Sequence, residues 1–495
     1  MLNSTDLDSQ DTPRLDHSFF GHPRGLLTLS GLEVWERFSF LGMQAILVLY
    51  FADPVANGGL GMTQGTAASV VSAYGTLVYL TSVVGGWVAD RMLGSYRSVL
   101  YGGALIACGH YAMSVPTAAM TWVGLGLIVV GTGFLKPNAA TLVGGLYATD
   151  DDRRDAGFAL YYMAINIGAF AGPLISGWLG QNEGWHWGFS AAAVGMTFGV
   201  VQYVLGRSTL HRDRGPVHPL TEAERSRWAG RAVAVVVLVA AVGVVLQLVG
   251  WLTMDRAVDL ITLVSVLAPI AYFAVMFRSP EVSRAERGRL RPYVVLFLAS
   301  VVFNLVLFSS YTTLALLAVD HVDNSIFGWH FPSSWWTSIL GAIEVLLAPV
   351  IAALWVRLGD RQPHASRKIA YSLFAAGLSF LVLVPATLGK SGDYQVAGLW
   401  LLGCYLFMGG GDILLETTGM SATSKLAPRH FASQTMAVWF LSLALSQGIA
   451  AQLTKLYGEV ADSAYYGALG LFAVVAGIAL YLALPWMRRT MHPVH

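Results

Sequence analysis

The sequence is poor in charge. Of 495 residues, 30 are Lys or Arg and 29 are Asp or Glu, so 12% are charged. A soluble domain carries about 25% and needs it to cover its surface. The net charge of +1 excludes a basic nucleic-acid footprint, and the apolar composition excludes a disordered chain. Cysteine is scarce too: there are two, Cys108 and Cys404. Both lie inside apolar runs, so no disulfide framework is expected, and both read as small buried hydrophobes. Residues 1–25 lack an apolar core and hold Asp6, Asp8, Asp11 and Asp16. They do not read as a secretory leader, so the first apolar segment reads as a retained helix. HExxH, GxSxG and Cys/His ligand spacings are missing, so neither an enzyme nor a cofactor or metal is expected. His110 and His186 read as packed or interfacial.

What is abundant is apolar sequence. Hydrophobic residues make up 55%, and the mean hydropathy is +0.58. A helix needs about 20 apolar residues to cross the hydrocarbon core. Runs such as 54–89, 98–135, 156–182, 292–319 and 463–487 contain no Asp, Glu, Lys or Arg. Pro116 and its Ser/Thr neighbours divide the 98–135 run. Fourteen helices are expected near 27–52, 66–90, 97–115, 121–145, 156–180, 186–206, 229–251, 257–277, 293–319, 332–358, 368–388, 395–425, 431–455 and 463–487. The fold class is thus an all-α polytopic membrane protein. Placing both termini in the cytoplasm puts 25 Lys and Arg on that side and 3 on the other, the orientation favoured by the positive-inside rule. Trp329, Trp335 and Trp336 read as an interfacial aromatic belt.

The chain also reads as two halves. Gly86-Trp-Val-Ala-Asp90-Arg91 follows the second helix, and Trp355-Val-Arg-Leu-Gly-Asp360-Arg361 stands at the same place in the second half. This points to two six-helix bundles related by a repeat. The expected organisation is a cytoplasmic tail 1–25, a first bundle 26–207, linkers and an inserted two-helix hairpin 208–291, a second bundle 292–488, and a tail 489–495. The basic linkers at 207–228 and 278–291 read as solvated connections.

Ionisable groups inside helices carry the functional information, because each costs about 2.5–3.5 kcal/mol near the bilayer centre. Glu33, Glu36 and Arg37 lie together on the first helix. Glu33 and Glu36 share a face, with Arg37 four after Glu33. One acid can stay ionised against Arg37 while the other exchanges a proton; the alternative is a static ion pair holding helices together. Lys136 is a lone cation in the fourth helix, able to pair with Glu33 or Glu36 or with a substrate carboxylate. Tyr162 and Asn166 share a stripe that suits a small polar ligand or an interhelical hydrogen bond. Asp412 and Glu416 are four apart, a pairing that favours a substrate amine or a proton. Glu344 stands alone between Gly341 and Pro349.

Glu33-x-x-Glu36-Arg37-Phe38, the Gly86…Asp90-Arg91 loop, Gly133-Phe-Leu-Lys136-Pro-Asn138, Phe158-x-x-Tyr161-Tyr162-x-x-Ile165-Asn166-x-Gly168-Ala, and Ser424-Lys-Leu-Ala-Pro428 with Trp439-Phe440 occur in this order. Together they resemble the proton-dependent oligopeptide transporter family, over about residues 20–490. The resemblance implies the major-facilitator fold, commonly with two extra helices between the halves in bacterial members. It implies a ligand near the midplane, with Lys136 attracting the peptide carboxylate and Asp412 near its amino end. Tyr79, Tyr162, Asn166 and Trp439 would line the pocket. Glu33, Glu36 and Arg37 would couple protons to movement.

Four departures qualify the pattern. Where the family has Tyr-Tyr-Gly-Met-Arg, this chain reads Phe40-Leu41-Gly42-Met43-Gln44, so Gln44 supplies no charge and the carboxylate clamp rests on Lys136. Ser309-Ser310 stands where an acid is expected. Glu344 appears where the family is uncharged, and Glu416 replaces a small polar residue. Two expectations follow: Glu344 takes over the role of the missing acid, and the pocket is less strict about a free carboxylate and favours cationic substrates. The reading is a proton symporter importing di- and tripeptides by alternating access. It works as a monomer in the lipid of the cell (inner) membrane, with both termini cytoplasmic and no nucleic-acid partner. The alternatives are another small solute as cargo, or a non-transporting nutrient sensor.

Overall fold

The structure is a computed structural model that describes residues 19, 21–147, 151, 153–210, 215–216, 219–390, 392, 394–428 and 431–491. Most of the expected terminal tails, together with Arg14, Arg212, Arg214 and Arg429, lies outside these residues, as does the side chain of Ser424. In chain order the helices are α1 (Arg24–Ala52), α2 (Gln64–Val88), α3 (Ser95–Met113), α4 (Ala118–Gly144), α5 (Arg154–Asn182), α6 (Trp185–Leu205), α7 (Glu222–Leu248) and α8 (Met254–Arg278). They continue with α9 (Arg284–Leu307), α10 (Thr313–Asp320), α11 (Trp335–Leu358), α12 (Ala365–Leu381), α13 (Val384–Thr387), α14 (Gly398–Leu426), α15 (Ala432–Leu453) and α16 (Asp462–Met491). Each of the fourteen expected segments is helical, and two of them are broken, into α9/α10 and α12/α13. Among the described residues, eleven helical stretches are long and apolar enough to cross a membrane. The stretch formed by α1 falls short because it holds Glu33, Glu36 and Arg37.

The helices start where side chains can satisfy their free N–H groups. Thr63 and Thr117 cap α2 and α4. Capping boxes, Thr221 with Glu224 and Ser283 with Glu286, start α7 and α9 inside the basic linkers. Parts of those linkers are therefore helical, and 221–228 remain exposed as expected of a connection. The Thr221 backbone and hydroxyl hold the Glu224 carboxyl below its usual range. Leu220 also bonds to the Arg91 carbonyl (3.2 Å) and Trp228 meets Trp87 edge-on (5.1 Å between centroids), so the first linker is fastened to the α2–α3 turn.

The first six helices pack chiefly on one another, as do most of α9–α16, while α15 packs chiefly on α2 and α8 and α11 packs on both α5 and α14. Small residues permit this. A Cβ on Gly102 would come within 2.6 Å of the Gly131 carbonyl, and one on Gly109 within 2.7 Å of the Gly124 carbonyl, so α3 and α4 meet backbone to backbone. The hairpin helix α8 leans on α15 and α2.

Hydrogen bonds join the halves along the arginine-poor side. Gln64 bonds to Asp320. Ser69 donates to the Ala451 carbonyl (2.6 Å), Gln181 to Ser333 (3.0 Å), Trp335 to the Leu174 carbonyl (3.0 Å) and Ser338 to the Phe170 carbonyl (2.8 Å). No comparable packing joins α4 or α5 to α14 among the described residues. The halves are thus held together on the arginine-poor side.

Two of the three tryptophans expected in an aromatic belt, Trp335 and Trp336, have partners inside the protein. Trp336 is 5% exposed and its indole N–H donates to Asn324. Trp335 clasps α5 through the Leu174 carbonyl. Trp329 is 56% exposed, but on a β-hairpin pairing β2 (Ser325–Ile326) with β3 (Trp329–His330). The cysteines also differ from expectation: Cys404 is buried, but Cys108 is exposed on α3. His110 is fully buried with neither ring nitrogen bonded, and His186 bonds to the Met113 carbonyl at 2.8 Å.

Candidate functional site

The site grows from the contact between α1 and α5. A Cβ on Gly168 would lie 2.3 Å from the Val34 carbonyl and 2.7 Å from the Arg37 Cβ, and one on Gly172 would lie 2.4 Å from the Phe38 carbonyl. Glycine at these places lets α5 press onto the turn of α1 that carries the charges. The press brings Tyr161 to Glu33, where its hydroxyl donates to Oε2 at 2.6 Å. Arg37 takes both acids: its Nε lies 3.2 Å from Glu33 Oε1 and also bonds to Glu36. Its guanidinium stacks over Phe40 (5.4 Å), which in turn stacks on Tyr74 (6.5 Å). All of these groups are buried, yet Glu36 Oε1 and Arg37 Nη2 reach no hydrogen-bond partner, nor does Gln44 Oε1 further along the helix.

Lys136 does not pair with Glu33 or Glu36. Its Nζ sits over the Tyr79 ring, 4.6 Å from the centroid, a cation–π contact. It remains within electrostatic range of Arg37, Glu36, Glu33 and Glu416. Arg37 has already engaged the two acids, which leaves the ammonium free for another anion.

The opposite wall belongs to α11 and α14. A Cβ on Gly409 would lie 3.4 Å from the Glu344 Cγ, so Glu344 rests against α14 one turn before Asp412. Asp412 is 7% exposed, its Oδ1 has no partner, and it is within range of Glu344 and Glu416. Tyr162 on α5, 37% exposed, feels Asp412, Glu344 and Glu416 together. Asn166 lies one turn on and is buried, its amide donating back to the Tyr162 carbonyl (3.0 Å). Trp439 is fully buried with a free indole N–H, its ring pressed where a Cβ on Gly419 would stand.

Ser309 lies in the break between α9 and α10. Its hydroxyl bonds to the Leu305 carbonyl (3.1 Å), and that of Ser310 to the Leu307 carbonyl (2.8 Å). Such back-bonding favours bending, and a 3₁₀ turn at Phe308–Tyr311 replaces the α-helix there. The turn presents Phe308 to Tyr79 (5.8 Å) and sets Tyr311 within range of Glu344, Tyr79, Arg37 and Asp412. Tyr311 therefore stands between the two charged walls. Sequence reasoning passed it over, although a phenol beside two serines in an apolar helix was a usable signal. Tyr161 was part of a quoted motif, but its service to Glu33 needed the fold.

A second cavity, of about 430 Å³, lies on the arginine-poor side between Trp178, Gln181, Asp323, Trp329 and Gln395. It is separate from these charges.

Comparison with known proteins agrees with this architecture. The chain is 41% identical to an uncharacterized transporter, YclF, of Bacillus subtilis, over 96% of each chain. It is 38% identical to a di-/tripeptide transporter of Lactococcus lactis subsp. cremoris, over 96% of this chain and 97% of that one. A crystal structure of a peptide transporter POT in complex with sulfate superposes with a TM-score of 0.92 at 42% identity, covering 96% and 97% of the two chains. The sequence pattern of the POT family matches residues 96–470, and this chain belongs to that family.

Proposed function

We propose that the protein imports di- and tripeptides together with protons by alternating access. In this reading it acts as a monomer in the cell membrane, with both termini in the cytoplasm and with the bundles at 26–207 and 292–488 rocking about the substrate. The observation that carries the reading is Lys136: a cation without an ion pair among the described residues, within electrostatic range of Glu416, one helical turn from Asp412. A peptide has the matching charges, with its carboxylate toward Lys136 and its amino end toward Asp412.

Glu33, Glu36 and Arg37 are assigned to proton coupling. One of the two acids exchanges the proton while the other stays with Arg37. Protonation of either acid weakens its pair with Arg37 and leaves more positive charge beside Lys136, which strengthens the hold on the peptide carboxylate. By linkage, the bound carboxylate favours the coupling state in return. Glu344 substitutes for the acid missing at Ser309. Phe40, Gln44, Tyr79, Tyr162, Asn166 and Trp439 shape the pocket.

The test is dialanine uptake into proteoliposomes with and without an inward proton gradient, with tripeptide or free alanine as competitor. Gradient-driven uptake blocked by the tripeptide but not by alanine is expected. Uptake that ignores the gradient removes proton coupling, and its absence in folded protein removes the peptide cargo in favour of another small solute or a sensor. Glu344→Gln should lose gradient dependence; wild-type driven uptake in that variant sinks its assignment.

A further inference from the structure

Acidic groups outnumber basic ones in the cavity. Glu33, Glu36, Glu344, Asp412 and Glu416 are five carboxylates, and Arg37 and Lys136 are two cations, all within one electrostatic neighbourhood. The imbalance is one-sided. The α1–α4 wall holds two acids and two cations, whereas the α11–α14 wall holds three acids and no cation. A zwitterionic peptide adds no net charge, so it leaves the imbalance as it was.

We infer that the α11–α14 wall is a subsite for a second positive charge, so that peptides with a cationic side chain on their first residue bind more tightly than neutral ones. This rests on the peptide reading above. The carboxylates form a ladder, with Glu344 beside Gly409, then Asp412, then Glu416. From 409 to 416 the helix rises about 10 Å at 1.5 Å per residue. That spacing suits an elongated cation with two separated ammonium groups. It does not suit a compact ion: among the described residues no three acids, histidines or cysteines are grouped to hold a metal. The second, separate sign of a ligand is Asp412 itself, a buried carboxylate with an oxygen that nothing in the fold satisfies. Such a group costs free energy until a donor reaches it. With the α-amine on Asp412, the side-chain ammonium of a first-residue lysine extends along the ladder toward Glu344 or Glu416. Tyr162, on α5, lies within electrostatic range of all three acids.

Lysyl-alanine and Nε-acetyl-lysyl-alanine test this, since they differ by one charge at nearly the same shape. The shift in melting temperature of the purified full-length protein is read against the concentration of each and of dialanine, and all three compete with labelled dialanine in proteoliposomes. Lysyl-alanine should half-saturate at about one tenth the concentration of its acetylated form, the effect of one charge-assisted hydrogen bond. Glu416→Gln or Glu344→Gln should bring that ratio toward one, whatever each does to transport. Equal potency of the two lysyl compounds in wild type overturns the inference, and dialanine binding then leaves the peptide reading standing. A tenfold preference that survives both substitutions overturns the assignment to this wall. No response to any of the three removes the inference and the peptide reading together.

Discussion

The two walls of the cavity handle buried charge in opposite ways. On the α1–α4 wall, Arg37 engages Glu33 and Glu36, Tyr161 secures Glu33, and Lys136 rests on Tyr79. That wall is close to neutral without a ligand. On the α11–α14 wall, Glu344, Asp412 and Glu416 have no basic partner among them, and Asp412 keeps a bare oxygen. The first arrangement holds its charges in pairs within the wall. The second must draw positive charge from a substrate or from protons. The difference separates charges that hold the protein together from charges that wait for something.

Breaking the paired wall should therefore cost most. Arg37→Leu strands two buried carboxylates and should destabilise by about 3–5 kcal/mol, measured as a fall in melting temperature in detergent. Glu416→Gln, on the unpaired wall, should be neutral or stabilising in the same assay because it relieves like charges. Equal losses in the two variants would dissolve the contrast. Lys136→Ala should weaken peptide binding by about 1.5–3 kcal/mol, the worth of a hydrogen bond to a charged group, read as a rise in the half-saturating concentration of dialanine. A carboxyl-amidated dipeptide should bind that variant and wild type alike.

Gly168→Ala should destabilise by about 1–3 kcal/mol, since its methyl has no room against α1. It should also disturb proton coupling by displacing Tyr161 from Glu33. Trp335→Phe removes one hydrogen bond across the arginine-poor side. A loss of about 1 kcal/mol should raise the population open on that side a few-fold, followed by spin-label distances between α5 and α11.

Much of this site is legible in the chain. Charged residues are so scarce in apolar helices that Glu33, Glu36, Arg37, Lys136, Glu344, Asp412 and Glu416 stand out unaided, and helical spacing assigns Asp412 and Glu416 to one face. The glycine of the α5 motif is visible too, but not the backbone it presses against. The tryptophans near 335 show why proximity to an apolar segment misleads: an indole suits a membrane interface and an interhelical clasp equally, and only its partner, the Leu174 carbonyl, decides.

Hydrophobic run length, arginine bias and motif order were sufficient for the helix count, the expected orientation and the family resemblance, because these are properties of segments meeting a bilayer one at a time. That Tyr161 secures Glu33, where Lys136 rests, that Glu344 shares a neighbourhood with Asp412, and on which side the halves are joined are properties of helices distant in the chain meeting one another. Charge pairing falls off within a few ångströms, and side chains on separate helices are brought that close by packing alone. Tertiary structure therefore decided which charges are satisfied and which are left for a ligand.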